Sequence, residues 1–378
     1  MSLFIEFHLI QNFAPSNLNR DDTGAPKDAV FGGYRRARVS SQCFKRAVRL
    51  QADFPAANQG VRTKKLLELL REQLQQRFGL AGEELDGRIE SALAAAGLKL
   101  KEDGKTEYLL FLGQQEIDGF ASLIHAHRDE LAPSANGEKK SKKDVKANVP
   151  PELAKQAKAI MNGGKALDVA LFGRMLADLP EVNQDAACQV AHAISTHQVV
   201  RDFDYFTAVD DKGSADETGA GMIGQVEFNS ATFYRYAALD PAKLAGNLQG
   251  DRELALAGVR ALVQAMARAI PSGKQNTFAA HNPPSFIGIA VRHASPLNLA
   301  NAFEKPVYAR NGEALTGQSV AALAGYDDKL AGLYGDARDA WAYIDLTDAW
   351  PQAKGERQTS LAALADWAAQ QAGAAWER

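Results

Sequence analysis

The sequence predicts an α+β fold in which a long helical segment interrupts a set of β-strands. The opening residues FIEFHLI alternate in the manner of a strand, and leucines recur at helical spacing between about Arg62 and Phe172. Between Ala191 and Ala238, two strand-like stretches flank a glycine-rich acidic tip, which is typical of a long hairpin. A chain of 378 residues with 46% apolar and 24% charged residues is an ordinary globular protein with room for more than one domain.

The first strand is expected to be half-buried, and its alternation argues against a signal peptide. One face would carry Leu3, Ile5, Phe7 and Leu9, and the other Phe4, Glu6, His8 and Ile10. No stretch approaches the length of a membrane span.

A basic segment follows between Asn19 and Leu50. From Lys27 to Arg49 it carries seven cations against one acid, Asp28, although the formal net charge of the chain is −3. The cations are Lys27, Arg35, Arg36, Arg38, Lys45, Arg46 and Arg49. Such a cluster in a balanced chain indicates a polyanion site. A solvated surface with no partner is the alternative.

The layout of this segment favours phosphate. Gly32 and Gly33 let the backbone approach a ligand, and Ser40 and Ser41 are N-cap residues for a helix over Gln42–Leu50. That helix would bury Phe44, Ala47 and Val48 and present Lys45 and Arg49 on another face. A phosphate at its start would meet free N–H groups, hydroxyls and cations together.

Later segments add further candidates. The lysine-rich loop Asn136–Pro151 is either a nucleic-acid contact or a solubilising loop. DVALFGRM ends in Arg174 and Met175, which we expect to be exposed. The hairpin strands alternate Phe203, Tyr205 and Thr207 with Asp202, Asp204 and Phe206, so one face is available for recognition unless its aromatics pack inward. A helix over Glu253–Ala269, a polar loop Gly273–Thr277 that could contact phosphate and a buried strand Phe286–Val291 follow.

Motifs for catalysis are missing from the sequence. It contains no GxxxxGK[ST], HExxH, paired CxxC or GxSxG pattern, and His192 and His197 are wrongly spaced for two metal ligands on one helix face. Cys43 is interpreted as a small buried hydrophobe, and its distance in sequence from Cys188 indicates no disulfide framework and a reducing cytoplasm. Asp21, Asp22 and Asp28 would either bind a metal or hold the arginines in place, and we favour the second. We expect binding without chemistry and no cofactor.

Four long motifs then identify a family. They are LNRDDTGAPKDAVFGGYRRARVSSQCFKRA, DVALFGRM, AHAISTHQVVRDFDYFTAVDD with EFNSATFYRYA, and GKQNTFAAHNPP with PLNLANAFEK. With them the chain closely resembles the CasC family, the backbone subunits of type I-E CRISPR Cascade surveillance complexes. The resemblance implies an RRM-like, ferredoxin-like palm over 1–58, 183–196 and 236–378, a helical fingers insertion over 59–182 and a thumb hairpin over 197–235.

The resemblance also implies residue roles. RNA backbone would be held by Arg20, Lys27, Ser40, Gln42, Lys45, Arg46, Arg49 and, from the polar loop, Lys274. Phe206 and Thr207 of the thumb, with Met175 of the fingers, would displace a base at regular intervals. Incoming DNA would meet Lys139, Lys140, Lys142, Lys143 and Lys146, in a segment that aligns poorly with the family.

The implied function is a cytoplasmic, non-enzymatic scaffold for antiviral defence. Copies would stack head to tail on CRISPR RNA and present it to a target DNA strand, with the large, small, end-capping and RNA-processing Cascade subunits as further partners. Such a subunit needs cations and backbone donors rather than a base-reading surface. The alternatives are a metal-dependent ribonuclease that uses the loop aspartates, and a structural oligomer whose basic segment docks on an acidic protein.

Overall fold

The computed structural model describes residues 3–55, 58–82, 84–131, 150–161, 165–176, 179–208, 222–309, 312–374 and 376. The chain divides into two compact units. The first comprises Met1–Asp53, Cys188–Ala242 and Leu256–Arg378, and the second Phe54–Ala187 and Lys243–Ala255. Strands and helices occur in both units, so the predicted α+β class is confirmed. The RRM-like detail and the three-part boundaries stay predictions.

The first unit is built on a sheet of ten strands. Its strands are β1 (Phe4–Ser16), β2 (Asp28–Phe31), β3 (Tyr34–Val39), β6 (Cys188–Val190), β7 (Ala193–Ser195), β8 (Asp202–Ala208), β9 (Met222–Leu239), β10 (Phe286–Arg292), β11 (Ala340–Asp345) and β12 (Glu356–Arg357). The main path runs β12-β11-β10-β1-β9-β7-β3-β2, and β6 and β8 also pair with β9. The β8–β9 pair is the predicted hairpin, and β10 is buried throughout as predicted.

Six helices accompany this sheet or connect its strands among the residues described. They are α1 (Ser41–Arg49), α7 (Pro241–Asn247), α8 (Arg252–Arg268), α9 (Gln275–Phe278), α10 (Leu315–Tyr334) and α11 (Leu361–Ala374). The chain enters the second unit within α7 and leaves it within α8. No helix in the described parts of the chain is long and apolar enough to cross a bilayer.

The second unit is mainly helical. It contains the antiparallel pair β4 (Gly60–Thr63) and β5 (Leu110–Gly113), with α2 (Leu66–Phe78), α3 (Glu84–Ala95), α4 (Gln114–Ala126), α5 (Pro151–Ile160) and α6 (Leu167–Phe172). The leucine stripe of α2 is buried in the core at Leu66, Leu67, Leu70 and Leu74, because its spacing keeps one face of the helix apolar.

The alternation of β1 predicted a half-buried strand, and this prediction was wrong. The strand lies between β9 and β10, and Glu6 and His8 are as completely buried as their apolar neighbours. The His8 ring lies 5.0 Å from that of Trp341 and 5.2 Å from that of Tyr236. An alternating strand is therefore covered on both faces here, because aromatic side chains from distant strands cover its polar face.

Glu6 is the centre of a buried polar network. Its Oε2 accepts hydrogen bonds from His8 Nε2 (3.3 Å) and Arg292 Nε (3.0 Å), while its Oε1 accepts from the Tyr236 hydroxyl (2.6 Å). Arg292 also pairs with Asp327 at 2.5 Å. Burial alone would raise the pKa of Glu6, but the hydrogen bond and charge of His8, followed by the charge of Arg292, hold it below the ordinary value. The carboxylate is thus kept ionised by its partners.

We predict that Glu6→Gln lowers the free energy of unfolding by roughly 3–5 kcal/mol at neutral pH, because it leaves Arg292 buried with one counter-charge fewer. Because the pKa of Glu6 is lower in the folded chain, its contribution is complete above the ordinary value of 4.5 and is lost as the pH falls below it. Urea denaturation at several pH values measures both effects. The exposed Glu253→Gln is the matched control, with an expected change within about 0.5 kcal/mol. Equal stability of the two variants would contradict this account.

Candidate nucleic-acid interface

Helix α1 carries most of the predicted phosphate-binding residues, and it is built as the sequence indicated. Ser40 is the N-cap, with extended backbone and an Oγ that accepts from the Cys43 N–H at 3.3 Å. Phe44, Ala47 and Val48 face the core. Ser40 is itself buried, so its hydroxyl serves the helix start and offers little surface to a ligand.

The outer face of α1 is polar and basic. Gln42 and Arg46 are exposed, and Lys45 and Arg49 are partly exposed on the same helix. Although the Cys43 N–H is already bonded to Ser40, the cationic side chains and the positive end of the helix dipole suit this face to a polyanion rather than to an apolar partner.

The loop that precedes β2 is closed around Asp21. Its Oδ1 accepts from the Thr23 N–H (2.9 Å), the Thr23 hydroxyl (2.7 Å) and the Ala25 N–H (3.0 Å). These bonds, led by that of the Thr23 hydroxyl, lower the pKa of Asp21. The loop end is also fixed, because Lys27 N–H donates to the Asn19 carbonyl at 2.9 Å. Asp21 is therefore a loop-forming residue that holds Arg20 and Asp22 in place at the surface.

A cavity of about 610 Å³ lies between this loop, α1 and the segment before α9. Arg20, Arg46 and Gly273 are among its lining residues. Gly273 is required at this position, because a Cβ there would lie 2.3 Å from the Leu18 carbonyl oxygen. Lys274 follows it in the left-handed conformation, with φ 51°. The loop predicted over 273–277 is a loop only at its start, because helix α9 begins at Gln275, and of this segment Gly273 lines the cavity together with Arg20 and Arg46.

Arg36 of the clustered cations is used inside the fold, which corrects the interpretation of the whole cluster as a polyanion site, and Arg35 and Arg38 are bonded to Asp28 nearer the surface. Arg36 is fully buried and donates to the carbonyls of Ser195 (3.0 Å) and Phe303 (2.7 Å). Arg35 is paired with Asp28 at 2.7 Å. Arg38 donates to the Asp28 carbonyl at 3.1 Å. Partners elsewhere in the fold, some of them far along the chain, decide these roles.

Asp28 holds arginines, as the favoured interpretation of the loop aspartates had it. Its carboxylate pairs with Arg35 at 2.7 Å and with Arg201 at 2.8 Å, and Arg201 also pairs with Glu227 at 3.0 Å. Within the described ranges, no group of three or more His, Cys, Asp or Glu side chains is arranged to hold a metal ion. Sequence reasoning missed Arg201, although its position directly before the first hairpin strand was a usable signal.

Cys43 is not an activated thiol. Burial raises its pKa, and the opposing charges of Lys27 and Arg46 do not reverse that effect. Burial raises the pKa of Cys188 to about 12. Both cysteines are free. This agrees with the interpretation of Cys43 as a small hydrophobe.

The hairpin has two different faces. Phe206 packs over Gly224, where a Cβ would lie 2.3 Å from its ring. Thr207 is exposed on the opposite face. That face also exposes Phe203 and Tyr205, at 53% and 64%, so these aromatics do not pack inward within the chain.

In the second unit the two residues after Gly173 differ from each other. Met175 is 85% exposed, as predicted. The prediction that Arg174 is exposed was wrong, because its Nη1 pairs with the buried Glu116 carboxylate at 2.9 Å and its Nη2 donates to the Met161 carbonyl at 2.5 Å. The five candidate DNA contacts Lys139, Lys140, Lys142, Lys143 and Lys146 lie outside the described residues.

The chain is similar to known proteins over nearly its whole length. Residues 5–367 match the family model described as CT1975-like protein. A solved chain from a "CRISPR RNA-guided surveillance complex, pre-nicking" is similar with a TM-score of 0.86 and 33% identity, over 98% of this chain and 100% of that one. A second, from a "CRISPR RNA-guided surveillance complex", has a TM-score of 0.74 and 28% identity, over 97% and 99%. Curated proteins gave no match.

The family match spans nearly the whole sequence, and the similarity to the first solved chain extends over nearly the full length of both. The family expected from the four motifs is thereby confirmed. The chain belongs to the CT1975-like protein family, which is of the CasC type.

Proposed function

We propose that this protein is a non-catalytic backbone subunit of a type I-E CRISPR surveillance complex and binds the phosphate backbone of CRISPR RNA. The observation that carries the proposal is the basic outer face of α1 beside the cavity lined by Arg20 and Arg46, in a chain similar to subunits of RNA-guided complexes. Contacts of this kind hold a strand without reading its sequence, which suits a subunit that must serve any guide.

Assembly on the RNA follows from the same proposal. Copies of the chain stack head to tail along the spacer, together with the other Cascade subunits, in the cytoplasm. Phe206 and Thr207, with Met175, displace a base at intervals, and unstacking costs roughly a few kcal/mol per step. The remaining bases stay free to pair with target DNA. The exposed positions of Thr207 and Met175 support this role.

The basic face is tested by the double variant Lys45→Glu and Arg49→Glu. We predict that single-stranded RNA, bound by the wild type in a gel-shift titration, is no longer shifted at low salt. The wild-type log affinity should fall with log salt by about 0.7 for each phosphate that the protein neutralises. If the variant retains some binding, its log affinity should fall less steeply with log salt. The slope should be smaller by about 0.7 for each phosphate that the variant no longer neutralises.

A matched control reverses two exposed charges on other helices, Lys329→Glu on α10 and Arg260→Glu on α8. It changes the net charge equally and should bind RNA like the wild type. Both variants must first show wild-type unfolding curves. Unchanged RNA binding by the α1 variant would reject the proposal and favour docking of this face on an acidic protein.

Catalysis is tested separately, by incubating end-labelled RNA with Mg²⁺. We predict that the RNA stays intact with the wild type and with the triple variant Asp21→Asn, Asp22→Asn and Asp28→Asn. Asparagine at 21 keeps an oxygen for the loop bonds, so the variant should fold. Shortened RNA that requires both metal and the aspartates would replace the scaffold by a metal-dependent ribonuclease.

A further inference from the structure

The root of the hairpin contains a break in the strand ladder. Thr196 N–H donates to the Thr232 carbonyl at 2.8 Å, which continues the β7–β9 pairing by one residue. In a regular antiparallel pair the Thr232 N–H would donate back to the Thr196 carbonyl. That carbonyl instead accepts from the Val307 N–H at 3.0 Å. The Thr232 N–H therefore needs another acceptor, and Thr232 is buried.

The acceptor is the imidazole of His197. Its Nε2 lies 3.2 Å from the Thr232 nitrogen, and its Nδ1 lies 2.8 Å from the Gln198 carbonyl oxygen. Both backbone groups have fixed roles, since an amide can only donate and a carbonyl can only accept. His197 must therefore be neutral, with its proton on Nδ1. Burial lowers its pKa, and the charge of Arg36 acts in the same direction, so the neutral form is favoured.

After Thr196 the chain stops pairing with β9, and it pairs with β9 again from Asp202. Val199 N–H donates to the Arg35 carbonyl of β3 at 3.0 Å, and pairing with β9 resumes at Asp202, opposite Phe228. Just before that point, Arg201 is paired with Glu227 of β9 at 3.0 Å. The unpaired segment 197–201 is thus bonded to β9 by a side chain near each end. These are His197 near the sheet and Arg201 at the start of the hairpin.

We propose that His197 is a positioning residue for the β8–β9 hairpin, because its imidazole takes the place of the missing ladder carbonyl and so fixes where β9 leaves the sheet. Without this acceptor a buried N–H has no partner, and the root opens more readily. The consequence for RNA binding rests on the proposed function of the hairpin, whereas the hydrogen bond from the Thr232 N–H to His197 can be measured on the free protein.

The experiment combines nitrogen NMR of the histidine-labelled wild type with amide hydrogen exchange in three variants. We expect the Nδ1–H tautomer for His197 at neutral pH. His197→Asn and His197→Phe should speed exchange of the Thr232 amide at least about tenfold, since neither side chain supplies an acceptor at the position of Nε2. His197→Gln should remain within about threefold of the wild type, because its side-chain oxygen reaches roughly the position of Nε2.

His192→Asn is the control, since His192 is exposed and contacts Arg38 rather than the backbone of β9. It should leave Thr232 exchange unchanged. A proton on Nε2 in the wild type, or unchanged Thr232 exchange in His197→Asn, would overturn the proposal. The nitrogen NMR measurement uses the wild type, so it tests the tautomer of His197 even if a variant fails to fold. Accelerated exchange of the Thr232 amide in His197→Asn, with unchanged RNA affinity, would support the role of His197 at the hairpin root. The same result would count against the proposed role of the hairpin in RNA binding.

Discussion

Strand β9 is the constraint on which the first unit depends. Over Met222–Leu239 it pairs with β8 in the hairpin and then with β1, β6 and β7 in the sheet. In the sheet, its residues 231–239 are buried throughout, whereas in the hairpin its residues 223–228 are exposed or partly exposed. Its pairing with β1 places Tyr234 beside His8, and its separate pairing with β8 places Phe206 opposite Gly224. A single strand therefore contributes to both the core and the hairpin.

The interior of this unit is polar where strands from distant parts of the chain meet. Glu6 with Arg292, and Arg36 with three backbone carbonyls, are buried and engaged at the atoms described above. Replacing such groups by apolar ones is often neutral in other proteins, so their presence alone says little about stability. Each of them, however, accepts only one arrangement of its neighbours. We expect them to act mainly by specifying which segments meet, as where Arg36 contacts the carbonyls of Phe303 and Glu304.

Local features were predictable from the sequence, and long-range ones were not. The α1 helix, its Ser40 cap and its apolar face followed from residue types within one turn, and the hairpin followed from alternation about a glycine-rich tip. The burial of Arg36 and Arg174 did not, because their partners lie 159 and 58 residues away. A run of arginines looks the same whether its members face water or backbone carbonyls. The same limit applied to Glu6, whose strand alternates like a half-buried strand yet is covered on both faces.

The sheet ends on strands that are very short. Strand β2 has four residues and β12 has two, and these are the termini of the main path. A short edge gives an incoming strand few hydrogen bonds, so growth of the sheet by edge-to-edge pairing gains little free energy. Even at high local concentration, copies of the chain would gain little by joining these two ends of the sheet. The longer free edge among the described strands is that of β8, which has seven residues and pairs only with β9, so edge-to-edge pairing is more favourable at the hairpin than at either end of the main path.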